Sequence, residues 1–223
     1  MEKFGKSQSV TRVEDVRLLT GDGRYVDDIA PENALHLYVL RSSVAHAKIT
    51  ELDLTDAREL EGVHLVAAAP DLHDAGITAG LGCVTVKNRD GSDAANPKHP
   101  ILAEDKVVWV GQPVAMIVAE SPEIAKDAAE LILFDYDELP AVTALTPGDT
   151  VIHDAAPGNL AFDYLLGREA ETHAAFADAA HVVRAEVSDN RVMVASLEPR
   201  GCFAEWSNGR VHLAINGQGV WGP

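Results

Sequence analysis

The stretch VAMIVAESPEIAKDAAELILFDY, residues 114–136, decides the fold. It opens with an apolar run to Ala119 in which Val114, Ile117 and Val118 are β-branched, the composition of a buried strand. Ser121-Pro122-Glu123 then starts a helix. The serine hydroxyl caps a free N–H, the proline's fixed φ suits the first turn, and the acid meets the positive end of the helix dipole. Ile124, Ala125, Ala128 and Leu131 recur at helical spacing, so one stripe is free to pack on a sheet. Residues 131–136 return as a second strand, which predicts a helix lying on one face of a sheet.

Toward the N-terminus, residues 106–110 are a further β-rich run. They join 114–119 through the corner Gly111-Gln112-Pro113, where Pro113 has no N–H to give a ladder. Leu35, Leu37 and Val39 alternate with His36, Tyr38 and Leu40, the period of a strand, and residues 47–54 are a second candidate. Residues 55–60 read as one or two helical turns, with Thr55 at the N-cap and Gly62 past the end, before the apolar run 63–69. The pattern predicts that 35–40, 63–69, 106–110, 114–119 and 131–136 share one sheet. Residues 71–100, rich in Gly, Asp and Asn, are expected to be a surface excursion. A polar arm, residues 1–17, is expected to enter the domain through the turn Gly21-Asp22-Gly23.

Toward the C-terminus, residues 137–167 lack periodicity and are rich in Pro, Gly, Asp and Ala, as connections between folding units are. The alanine-rich stretch 169–180 is expected to hold a short helix, and 181–189 is strand-like. Residues 202–206 and 210–215 flank Ser207-Asn208-Gly209, a hairpin turn signal that begins a second sheet. The class is α+β, not doubly wound.

Eighteen Lys and Arg against 35 Asp and Glu leave a formal charge of −17, which repels phosphate backbones and anionic lipid. Nucleic acid and membrane are therefore not expected as partners. The two cysteines, Cys83 and Cys202, are far apart and form no CxxC pattern, which suits a reducing cytoplasm. The first ten residues are polar, and no apolar run approaches the ~20 residues that span a bilayer.

Most chemical motifs are absent from the sequence. Gly21-Asp22-Gly23 lacks the third glycine and the strand-to-helix setting of a dinucleotide loop. Neither a P-loop nor a nucleophile elbow appears. The nine histidines are scattered without ligand spacing, so His46 and His99 are read as structural. Asp27-Asp28 are neighbours whose side chains diverge on a strand, and they are read as solvated turn residues.

A series of phrases carries the reading further. Arg12, Glu14-Asp15, Leu18-Leu19-Thr20-Gly21, Gly23, Tyr25 and Asp28 form the first, followed by Leu35-His36 and Arg41-Ser42-Ser43 with Ala45-His46-Ala47. His99-Pro100, Asp105-Lys106-Val107, Val110-Gly111-Gln112-Pro113-Val114-Ala115 and Asp135-Tyr136-Asp137-Glu138-Leu139-Pro140 continue the series. Asn190-Arg191, Leu197-Glu198-Pro199-Arg200-Gly201 and Ile215-Asn216-Gly217-Gln218-Gly219 close it. In order and spacing these phrases resemble the large subunit of the molybdenum hydroxylases, the family of xanthine dehydrogenase, aldehyde oxidase and aerobic carbon monoxide dehydrogenase.

The resemblance implies an arm over residues 1–16, an α/β-hammerhead domain with a mixed sheet over 17–142, a linker over 143–180, and the first strands of the molybdenum-cofactor domain over 181–223. It implies the N-terminal portion of an oxidoreductase subunit that oxidises an aldehyde, an N-heterocycle or carbon monoxide with water-derived oxygen. Electrons would pass to an iron–sulfur small subunit and an FAD-binding medium subunit in the cytoplasm. The molybdenum–pterin cofactor, with its cytosine dinucleotide form among the options, belongs to the full subunit. None is expected on the 223-residue chain alone, which is expected to be inactive without the remainder of the molybdenum domain. The family's glutamate base is expected beyond residue 223, so this chain is expected to carry no catalytic residue and no metal ligand of its own. Gln218 is the one cofactor-binding residue carried over, from the family glutamine whose amide reaches the oxo ligand of molybdenum; the other reading is an amide capping a strand end. Glu198 and Arg200 are expected to form an ion pair that orders the cofactor domain. A non-catalytic hammerhead module used for docking or assembly is the competing function.

Overall fold

The computed structural model describes residues 11–81, 86–144, 148–190 and 192–217. Its helices are α1 (Asp15–Leu19), α2 (Thr55–Glu59), α3 (Ala69–Asp74), α4 (Pro122–Glu130) and α5 (Glu169–Asp178). Its strands are β1 (His36–Arg41), β2 (Ala47–Asp53), β3 (Val63–Ala67), β4 (Lys106–Val107), β5 (Pro113–Ala119), β6 (Leu133–Glu138), β7 (Cys202–Ser207) and β8 (Arg210–Ile215). They fall into two compact units, residues 35–185 and residues 1–34 with 186–223.

The larger unit holds two three-stranded sheets, ordered β1-β5-β3 and β4-β2-β6. The single sheet expected from the strand pattern is thus divided in two, and the pairings within both sheets are antiparallel. Strand periodicity shows which face of a strand is buried but not which strand lies beside it, and β5 enters between β1 and β3 from far along the chain.

Helix α4 packs on β1, β5 and β3. Its first turn forms as the sequence dictates: Pro122 stands at the first position, and Ile124 N–H donates to Ser121 Oγ at 3.2 Å. Ala125, Ala128 and Ala129 face Ala115, Ile117 and Ala119 of β5, together with Leu54, Ala57, Val66 and Ile132, in the main core. Ala125 and Ala128 of the expected stripe are buried and Ile124 packs beside them; Leu131 alone departs, 44% exposed, because the helix ends at Glu130 and Ile132 turns inward in its place. A smaller core joins Ala47, Ala103, Val107 and Val114 beside the second sheet.

Several local expectations are corrected. Thr55 is the first helical residue of α2, not its cap; Leu54 holds that position, and the Asp53 carboxylate accepts from Thr55 N–H and hydroxyl. The excursion 71–100 begins inside α3, and it is pinned by isolated bridges Leu81–His99 and Lys87–Asp93. Only Lys106–Val107 of the run 106–110 pairs as a strand, since Gly111 turns the chain at φ +87° into Pro113. Residues 181–189 form no ladder. Their valines are β-prone, but a strand needs a partner, and Val183 stands 90% exposed.

In the smaller unit the hairpin β7–β8 pairs Cys202 with Ile215 through Ser207 with Arg210. Asn208 (φ +52°) and Gly209 (φ +73°) are the two central residues, the backbone of a turn whose twist matches the strands. Asp27 and Asp28 lie in a 3-10 turn, Val26–Ile29, where Asp28 accepts from Tyr25 N–H at 2.8 Å.

Candidate functional site

Gln218, the sequence-based cofactor residue, lies outside the described residues, as does Cys83. The strand that leads to Gln218 is described as far as Gly217, and three of the recognised phrases meet there. Asn216, just past β8, accepts from Gly201 N–H at 3.0 Å and donates to Pro199 O at 2.6 Å, so both ends of its amide hold the chain that precedes β7. Glu198 accepts from Val26 N–H at 3.0 Å. The expected Glu198–Arg200 ion pair is not formed: Glu198 turns to this backbone donor, and Arg200 is exposed. The phrases around 26, 198–201 and 216 thus form one clamp at the base of the hairpin. Asn216 stands inside one of the recognised phrases. Its position at the end of an alternating strand, followed by Gly217, is the signal that marks it as a strand-end amide.

In the larger unit, polar side chains collect around the corner 111–113. Ser42 N–H donates to Gln112 O at 2.9 Å, Gly111 N–H donates to Ser42 O at 2.8 Å, and Val108 N–H donates to Gln112 Oε1 at 2.7 Å. Gln112 is 1% exposed, one of three buried polar side chains among the described residues, with Ser42 and His46. His46 donates from Nδ1 to Pro140 O at 2.9 Å, the structural role read for it, and His99 packs edge-on against Trp109 at 4.7 Å.

Gln112 also lines a cleft of about 200 Å³ shared with Lys98, Glu104, Lys106 and His153. Burial, followed by the charges of Lys106, His46 and His99, holds His153 below the usual imidazole range, with Asp154 opposing. Lys98, through its hydrogen bond, holds Glu104 below the usual carboxylate range, with His73 adding to the effect. Among the described residues, no three His, Cys, Asp or Glu side chains stand together as a metal site, and no helix is long and apolar enough to cross a membrane.

The α/β-hammerhead domain model of aldehyde oxidase and xanthine dehydrogenase matches residues 20–140, and the molybdopterin cofactor-binding domain model matches residues 152–222. Fold and matches together define a hammerhead domain followed by molybdopterin-domain sequence. The chain belongs to the aldehyde oxidase and xanthine dehydrogenase family. The nicotine 6-hydroxylase large subunit of Paenarthrobacter nicotinovorans is 38% identical over 94% of this chain and 25% of its own length. The carbon monoxide dehydrogenase large chain of Hydrogenophaga pseudoflava is 33% identical over 86% of this chain and 25% of its own. The crystal structure of quinoline 2-oxidoreductase from Pseudomonas putida 86 superposes with a TM-score of 0.69 at 37% identity, covering 93% of this chain and 26% of that one. The chain spans about a quarter of the length of these relatives.

Proposed function

We propose that the chain is the N-terminal portion of the large subunit of a molybdenum hydroxylase, which oxidises a small molecule with water-derived oxygen. The observation that carries this reading is the order of the two matches, hammerhead then molybdopterin domain, on a chain whose hammerhead elements are formed. In this reading residues 17–142 are the hammerhead domain, 143–180 connect it, and 181–223 begin the cofactor domain. Electrons leave through an iron–sulfur small subunit and an FAD-binding medium subunit in the cytoplasm. The relatives' names span nicotine, quinoline and carbon monoxide, which supports a small carbon-centred substrate without choosing among them.

When bound, the molybdenum–pterin group supplies the redox chemistry, and the protein supplies position. The described residues suit the second task. Asn216 has both amide atoms engaged by backbone, and Glu198 ties the same segment to Val26, so the end of β8 is anchored by three hydrogen bonds. Gln218, two residues further on, is proposed to donate its amide N–H toward the molybdenum centre. A donor of this kind contributes to catalysis when its geometry is fixed in advance.

The test is Gln218→Ala in the intact subunit, with turnover expressed per bound molybdenum. Loss of one preorganised donor costs about 2.7–4 kcal/mol, so turnover is expected to fall roughly a hundredfold or more with the metal retained. Near-normal turnover per molybdenum would show that Gln218 only caps the strand.

A further inference from the structure

We propose that residues 148–163 form a strap whose near end, docked against Lys106 of β4, is released by protonation of His153. The strap is first closed on itself. Asn159 accepts from Ile152 N–H at 3.0 Å and donates to Thr150 O, and Ala156 N–H donates to His153 O at 2.8 Å. It is then held at two ends. At the far end Arg89 N–H donates to Asp163 O at 2.9 Å, Asp163 N–H donates to Asn88 Oδ1 at 2.9 Å, and the Arg89 guanidinium bridges Asp163 and Glu169 at 3.0 and 3.2 Å. Ala95 N–H adds a bond to Ala161 O at 2.8 Å. At the near end Lys106 of β4 reaches across and donates from Nζ to Ile152 O at 2.8 Å.

His153 adjoins the residue that Lys106 holds, and it is half-buried in the cleft that both line. The charged groups around it come from every neighbouring segment. Lys106 faces it from β4, His46 from the entry to β2, Lys98 and His99 from the chain before β4, and Asp154 from the strap itself. Glu104 and Asp105 also line the cleft, but Glu104 is already bonded to Lys98 and paired with His73 at 3.1 Å. Neutral, His153 fits this place; protonated, it adds a cation beside Lys106, which tethers the near end of the strap. The sign follows from linkage. A free imidazole takes its proton near the ordinary value of 6.5, whereas burial and the cations lower the docked value. Docking is therefore complete above that pH and weakens as pH falls below it, by up to about tenfold per pH unit until the docked value is reached. Release loosens the near end of the strap around Ile152 and His153, with the Arg89 ties to Asp163 and Glu169 still in place, and opens the cleft toward Gln112.

Hydrogen exchange of the intact polypeptide tests the proposal. Protection of peptides within 148–163, corrected for the intrinsic pH dependence of exchange, is followed from about pH 8 to about pH 5.5, with β5 as the internal reference. Strap protection is expected to fall up to about tenfold per pH unit on the acid side while β5 holds. His153→Gln is expected to flatten the profile, and Lys106→Met to lower protection at every pH. The proposal is overturned by flat wild-type protection, by an unchanged profile in His153→Gln, by unchanged protection in Lys106→Met, or by loss at β5 in parallel with the strap.

Discussion

Gly80 has no room for a side chain. A Cβ there would press into the carbonyl oxygen of His99 and lie 2.9 Å from its carbonyl carbon, next to the Leu81–His99 bridge. Backbone meets backbone, so neither side has a rotamer by which to yield. Gly80→Ala is expected to cost roughly 1–3 kcal/mol, read as a lower midpoint in denaturant, whereas Gly148→Ala, with open space around it, serves as the neutral control. Nothing in the sequence marks Gly80, because the constraint comes from a chain segment that folds back on it. His46 was legible as a structural histidine, since an isolated imidazole without ligand spacing is most simply satisfied by backbone, here Pro140 O. Gln218 came from resemblance alone. The place of Asn216 before Gly217 marks it as a strand-end amide, but its partners, Pro199 and Gly201, were not legible because they depend on how the hairpin closes.

At the scale of elements, α4 is where sequence and structure agree most closely, because its start signals are local. Ser121 meets Ile124 N–H within one turn, and Pro122 needs no partner at all. Ser121→Ala is expected to remove about 1 kcal/mol of stability. Ile117→Ala, which deletes a fully buried side chain of β5 beneath that helix, is expected to remove about 2–5 kcal/mol. Chemical denaturation of both variants measures the ratio, and equal losses would mean that the helix does not depend on the core under it. The hairpin β7–β8 was equally legible, as two adjacent residues of positive φ are what Asn208-Gly209 favours. The division into two sheets was not legible. The pairings β1–β5 and β2–β6 join segments remote in sequence, and periodicity carries no address for the partner. Residues 181–189 show the converse, with strand composition and no ladder.

For the whole molecule, the two units differ in how much of their apolar surface they cover. The larger has its buried core, while in the smaller Met193, Val194 and Leu197 are each more than 80% exposed. A polar cofactor needs many fixed partners. The 223-residue chain purified alone is expected to hold no stoichiometric molybdenum, and elemental analysis finding about one atom per chain would overturn that expectation. The place of β5 between β1 and β3 also governs events in time. A polypeptide emerges from the ribosome N-terminus first, at about 5–20 residues per second. The first sheet has no middle until residue 119 is made, so β1 waits on the order of ten seconds for its neighbour, and β3 waits with it. Throughout that interval Leu37 and Val39, joined by Val66 once β3 is made, belong to nascent strands with unpaired edges. Translation speed between residues 41 and 119 therefore sets how long this chain is open to chaperones, and to association with other copies of itself.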